Sequence, residues 1–133
     1  SKIAAQIYGL KILRANVQDN KNNTTRFLLM EKKPKKLIKQ QKKVITSILF
    51  QVRNIPAALY KAMGGFATNN VNMIKLESYM LGGSFEATQF FADIQGHPED
   101  TSVTRALDEL KYFTSKLDLI GVYKQSNYRE KHS

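Results

Sequence analysis

Residues 44–68 read VITSILFQVRNIPAALYKAMGGFAT, and a change of periodicity inside this stretch decides the fold. The opening run VITSILFQVR is rich in β-branched residues and almost continuously apolar, the pattern of a buried or half-buried strand. It stops at Asn54. Beyond Ile55 and Pro56, residues Leu59, Met63 and Phe66 recur at the spacing of one helix face, and Pro56 falls where a missing amide proton costs least. The spacing predicts a strand followed by a helix over 57–68.

Working downstream, VNMIKLESYM (71–80) reads as a second strand and FEATQFFADIQG (85–96) as a third, with the turn residues Gly82, Gly83 and Ser84 between them. That pair is expected to form an antiparallel hairpin. His97, Pro98, Glu99 and Asp100 place acidic groups at the start of a helix, where the dipole favours them. Val103, Ala106, Leu107, Leu110 and Phe113 form the buried stripe of that helix. LDLIGVYK (117–124) closes the set as a fourth strand. The order β, α, β, β, α, β defines an α+β class. It is the ferredoxin-like arrangement of an antiparallel four-stranded sheet with both helices on one face. Residues 44–125 hold this domain, and 126–133 are a polar, frayed tail. Many unrelated proteins share the superfold, so function rests on particular residues.

Upstream, Ile3, Ala4, Ile7, Leu10 and Leu13 recur at helical spacing and predict an amphipathic helix over 2–15. NVQDNKNN makes a loop, and TTRFLLME (24–31) a strand. The formal charge of +10 belongs here: residues 1–43 carry 12 Lys or Arg against 2 Asp or Glu, whereas 44–133 carry 9 of each sign. Seven of the lysines lie in EKKPKKLIKQQKK, which has no aromatic residue and only Leu37 and Ile38 as apolar ones. Such a tract buries little and reads as a solvated linker over 33–43. A basic face with interleaved aromatics, as nucleic-acid binding requires, is missing, so no nucleic-acid partner is expected. Without cysteine there is no disulfide, thiolate nucleophile or Cys-ligated metal site, and no cofactor or metal is expected. No apolar run approaches the roughly 18 residues that span a bilayer, and the N-terminal stretch is amphipathic rather than a secretory signal. The expected setting is the cytoplasm.

Three places in the domain are candidate sites. At the strand-to-helix junction 54–60, small residues would let a ligand approach helix N-terminal amides, which suit a carboxylate; an ordinary turn is the alternative. At Leu76, Glu77, Ser78 and Tyr79 a carboxylate could meet an amino group; the alternative is a charged strand edge. His97 reads as a turn residue before Pro98.

The segment NIPAALYKAMGGFATNNVNMIKLESYMLGGSFEATQFFADIQGHPED resembles the ACT domain of prephenate dehydratases. Ala57 to Tyr60 stand at the family's GALY signature and Glu77 to Met80 at its ESRP signature. Upstream, AAQIYGLKILRANVQDNKNNTTRFLLME looks like the close of the dehydratase catalytic domain, with Thr25, Arg26 and Phe27 at its Thr-Arg-Phe signature. Two departures stand out. Ala57 replaces the glycine that opens GALY, on the expectation that alanine fits helical angles there, and Tyr79-Met80 replaces Arg-Pro.

The resemblance implies residues 1–32 as the end of a catalytic domain and 44–125 as an ACT regulatory domain. It implies conversion of prephenate to phenylpyruvate, water and carbon dioxide in phenylalanine biosynthesis, with L-phenylalanine as allosteric effector. Thr25 would hydrogen-bond the departing hydroxyl and Arg26 would hold a substrate carboxylate, with Asn23 supporting the site and Phe27 packing beneath. The effector would meet Asn54, Ala57, Ala58 and Leu59 of one chain and Glu77 and Ser78 of another, in a homodimer through the ACT domain. A dehydratase needs two catalytic lobes, so the chain is expected to be a fragment, inactive alone. Two other readings remain: a stand-alone amino-acid-binding module, and a basic nucleic-acid-binding protein whose affinity would fall steeply with salt.

Overall fold

The structure is a computed structural model describing residues 1–20, 24–32, 43–53, 55–83 and 87–130. The chain divides into two compact units, Ser1–Lys32 and Lys33–Ser133.

In the second unit, β1 (Val44–Val52), α2 (Ala58–Thr68), β2 (Met73–Met80), β3 (Ala87–Gln95), α3 (Thr101–Phe113) and β4 (Thr114–Lys124) follow in the expected order, and a short α4 (Asn127–Glu130) ends the described chain. The tail expected to fray is helical at 127–130. The sheet order is β2-β3-β1-β4, and every neighbouring pair is antiparallel. This is the ferredoxin-like sheet.

Strand β1 is central because its residues can bury on both faces. Ile48, Phe50 and Val52 on one face join Phe90, Ala92 and Ile94 of β3 in the core. The rings of Phe50 and Phe90 stack with centroids 5.4 Å apart. Helix α2 contributes Ala58, Ala62 and Phe66, and α3 contributes Val103, Ala106 and Leu110, so both helices cover this same face. Each large side chain buried this way contributes about 1.5–3 kcal/mol. Leu107 and Phe113 of the expected α3 stripe are only partly buried. The buried face of α2 is built from smaller residues than its spacing implied, Ala58, Ala62 and Gly65 beside Phe66, with Leu59 at its margin. Small residues there let α2 approach α3: a Cβ on Gly65 would lie 2.7 Å from Glu109 Cβ and 3.2 Å from the Ala106 carbonyl. Glu109 then fixes the helix pair by accepting from Asn69 Nδ2 at 2.8 Å.

Strand β4 begins three residues earlier than expected, because α3 ends at Phe113 and Thr114 Oγ1 bonds back to the Leu110 carbonyl at 3.0 Å. Glycines 82 and 83 both adopt positive φ after β2, as a tight reversal requires.

In the first unit, the expected helix over 2–15 is cut to α1 (Lys2–Ile7). The cause is Gly9, at φ +62°, with the Leu10 amide donating to the Ala5 carbonyl at 2.8 Å. That is the six-to-one bond of a Schellman stop. The expected strand over 24–31 does not form. Residues 24–32 have no regular secondary structure, and a strand exists only where a neighbouring strand accepts its ladder.

Candidate functional site

The junction between β1 and α2 turns on Ala57. It is the N-cap of α2 and adopts φ +58°, ψ +25°, the left-handed region, so the expectation of right-handed helical angles is corrected. The chain must reverse within a few residues of Val52 to lay α2 back across the sheet. Ile55 and Ala57 achieve this through bonds from the Ala58 amide to the Ile55 carbonyl (3.1 Å) and from the Lys61 amide to the Ala57 carbonyl (3.0 Å). Holding a non-glycine residue there costs about 1–2 kcal/mol, which gives the glycine of the GALY signature a physical reason. The N-cap Ala57 has no side chain that could cap α2, and among the described residues the N-terminus of the helix presents backbone amides.

The other candidate effector residues divide. Ala58 points into the core, and Leu59 packs partly against it, so neither presents its side chain chiefly to a ligand. Asn54 lies outside the described residues. Tyr60 is exposed.

Glu77 sits on edge strand β2, level with Phe91 of β3 and, through it, with Leu49 of β1. Because Ile48 and Phe50 face the helices, Leu49, Phe91 and Glu77 face the opposite side of the sheet. Ser78 lies level with Phe90 and so takes the helix side, where it is exposed. Within one chain, then, Glu77 and the start of α2 lie on opposite faces.

Both oxygens of Glu77 are engaged. Lys75 Nζ lies 3.0 Å from Oε1, and Tyr79 Oη donates to Oε2 at 2.8 Å. Lys75 also stands 5.3 Å above the Phe91 ring. The Lys75 ammonium and the Tyr79 phenol stabilise the anion and lower the pKa of Glu77, and the same carboxylate raises that of Tyr79. The sequence reading missed this chain of contacts, although Lys75, Glu77 and Tyr79 at every second position of a strand necessarily share a face.

A second polar group lies on this same side of the sheet. Asp93 of β3 is fully buried and accepts from Ser47 Oγ of β1 and, at 3.3 Å, from Tyr123 Oη of β4. The Ser47 and Tyr123 hydroxyls lie 2.9 Å apart. His97 is a buried turn residue, as expected, with Nδ1 accepting from the Glu99 amide at 3.2 Å. An open depression of about 490 Å³ beside it, lined by Gln95, Gly96, His97 and Asp100, is at the end of the sheet away from Ala57.

Of the catalytic candidates, Thr25, Arg26 and Phe27 lie exposed in the first unit, and Asn23 is outside the described residues. Phe27 is 87% exposed. No cleft closes around Thr25 in the described residues. No cluster of His, Cys, Asp or Glu among them could hold a metal ion, and none of their helices is long and apolar enough to cross a membrane.

The fold defines a ferredoxin-like α+β domain. The family described as Prephenate dehydratase matches residues 1–35. A bifunctional N-acyl-homoserine lactone acylase/prephenate dehydratase from Komagataeibacter europaeus is 51% identical over 98% of the chain and 47% of its own length. A bifunctional chorismate mutase/prephenate dehydratase from Aquifex aeolicus is 40% identical over 98% of the chain and 35% of its own length. The crystal structure of the Arthrobacter aurescens prephenate dehydratase in complex with L-Phe superposes with a TM-score of 0.61 at 26% identity, covering 69% of this chain and 30% of that one. The chain is thus related to the C-terminal part of prephenate dehydratases, lyases of aromatic amino acid biosynthesis, and spans less than half the length of the two sequence relatives.

Proposed function

We propose that this chain is the regulatory end of a cytoplasmic prephenate dehydratase and that its ACT-type domain binds L-phenylalanine for feedback control. The observation that carries the reading is the similarity over 98% of the chain to two proteins named prephenate dehydratase, joined to the match with a phenylalanine complex. The α2 N-terminus, whose N-cap is an alanine, suits the effector carboxylate, and the Glu77 carboxylate suits its amino group. Their placement on opposite faces of one sheet supports a homodimer in which one chain offers α2 and its partner offers Glu77. Phenylalanine would act by preferring one quaternary arrangement.

In the whole enzyme, prephenate would lose its ring hydroxyl and carbon dioxide, with Thr25 donating to the departing oxygen and Arg26 holding a carboxylate. The basic segment 33–43 would join the two parts; all of it but Lys43 lies outside the described residues. Thr25 and Arg26 lie in the open here, so the 133-residue chain alone should not turn over prephenate. Calorimetry with L-phenylalanine, tyrosine and tryptophan tests the sensing claim directly: heat specific to phenylalanine is expected, and its absence rejects the reading. The 51% identity to a protein also named an acylase favours a second activity, hydrolysis of N-acyl-homoserine lactones by the whole protein. Release of free homoserine lactone by the whole protein, measured beside prephenate turnover, separates the two.

A further inference from the structure

We infer that Tyr79 is a positioning residue of the effector site, whose phenol, working with the Lys75 ammonium, fixes the Glu77 carboxylate in the orientation that receives the amino group of an α-amino acid. The inference rests on the reading of Glu77 as an effector ligand and assigns a role to a residue that the signature would make arginine.

An ionised carboxylate offers about four acceptor directions on its two oxygens. Tyr79 takes one on Oε2 at 2.8 Å and Lys75 one on Oε1 at 3.0 Å, which leaves one on each oxygen for an incoming ammonium group. The clamp is itself anchored. Lys75 is held at its far side by the Phe91 ring, and Phe91 belongs to β3 at the middle of the sheet. Glu77 side chains are long and its own is 44% exposed, so without these partners it would sample several rotamers and lose that freedom on binding.

Chemistry separates tyrosine from the arginine of the signature. A guanidinium beside Glu77 would add a second cation next to Lys75 and compete with an ammonium ligand. A phenol donates one hydrogen bond and adds no charge, so it orients the carboxylate and leaves its attraction for an ammonium group intact. The lowered pKa of Glu77, caused first by Lys75 and then by Tyr79, agrees with a carboxylate prepared as the anion.

The test is calorimetric titration of the full 133-residue chain with L-phenylalanine from neutral pH downward, for the unaltered protein, Glu77→Gln and Tyr79→Phe. Glu77→Gln is expected to abolish binding. Tyr79→Phe is expected to weaken it about three- to tenfold, the cost of immobilising one unrestrained side chain on binding. It should also raise the pH at which binding fails, because the carboxylate loses a donor to its anion. A purely structural role would not move that pH. Binding unchanged by Glu77→Gln, or no binding by the unaltered chain, overturns the effector reading and this inference with it. Loss of binding in Glu77→Gln with Tyr79→Phe matching the unaltered chain in both affinity and pH midpoint overturns the positioning role alone.

Discussion

The amide of Lys61 donates a 3.0 Å hydrogen bond to the carbonyl of Ala57, whose own backbone is left-handed at φ +58°. The first turn of α2 is therefore hung on a residue in a conformation that its methyl group disfavours. Ala57→Gly removes that cost, about 1–2 kcal/mol, and adds backbone entropy to the unfolded chain, about 0.4–1 kcal/mol. The expected outcome is a net gain of about 0.5–1 kcal/mol, read as a rise of a few degrees in Tm. A lower Tm for Ala57→Gly would show that the left-handed turn carries no strain.

Two adjacent glycines of α2 should respond in opposite directions to alanine. At Gly65 the new Cβ would meet Glu109 Cβ at 2.7 Å and the Ala106 carbonyl at 3.2 Å, neither of them the free end of a side chain. The helices must part, at a cost of about 1–3 kcal/mol. Nothing lies within 4 Å of a Cβ on Gly64, so Gly64→Ala gains helix propensity, about 1 kcal/mol. Urea unfolding of the two variants measures the contrast, and equal shifts would mean that α2 and α3 are not in close contact at Gly65.

Most of the domain was legible in its sequence because its signals were local. The run from Val44 to Val52 reads as a buried or half-buried strand and proves buried along most of its length, and the helical spacing of Val103, Ala106, Leu107, Leu110 and Phe113 gives a helix whose Val103, Ala106 and Leu110 are buried. The failures have physical causes of another kind. Periodicity carried the first helix past Gly9, where one left-handed residue ends it, and assigned a strand to residues 24–31, which have no regular secondary structure. At the candidate site, the signature located the junction, but only the backbone angle shows why glycine suits it. Ala58 and Leu59 are expected as ligand contacts because they stand within the GALY signature, and the sequence does not show that Ala58 is buried in the core with Leu59 packed partly against it. The group formed by Ser47, Asp93 and Tyr123 spans three strands, and its only sequence trace is a serine and an aspartate set into apolar runs.

That group makes a stability prediction. Asp93 is fully buried, so each donor removed from it exposes a desolvation cost that water cannot repay. Ser47→Ala should destabilise the domain by about 1–3 kcal/mol, and Tyr123→Phe by a similar amount. Because the two hydroxyls also bond each other at 2.9 Å, the double variant should depart from the sum of the singles. A double-mutant cycle in urea checks this, and strict additivity would mean that the three groups do not act together.

Glu77 supplies the pH prediction. Its folded pKa is lowered by Lys75 and Tyr79, so the contribution of these contacts is present above the unfolded pKa and is lost as pH falls through the folded one. In the free chain, the side-chain carboxyl carbon of Glu77 followed by NMR should titrate below the ordinary glutamate range. Lys75→Met should move that midpoint upward, since the largest cause of the shift is removed. Added salt should move it in the same direction but by less, because the pair is partly exposed and its charge attraction is screened while the bond from Tyr79 persists. A midpoint indifferent to both Lys75→Met and salt would mean that Lys75 does not hold Glu77 in solution, and the carboxylate would then enter binding unrestrained.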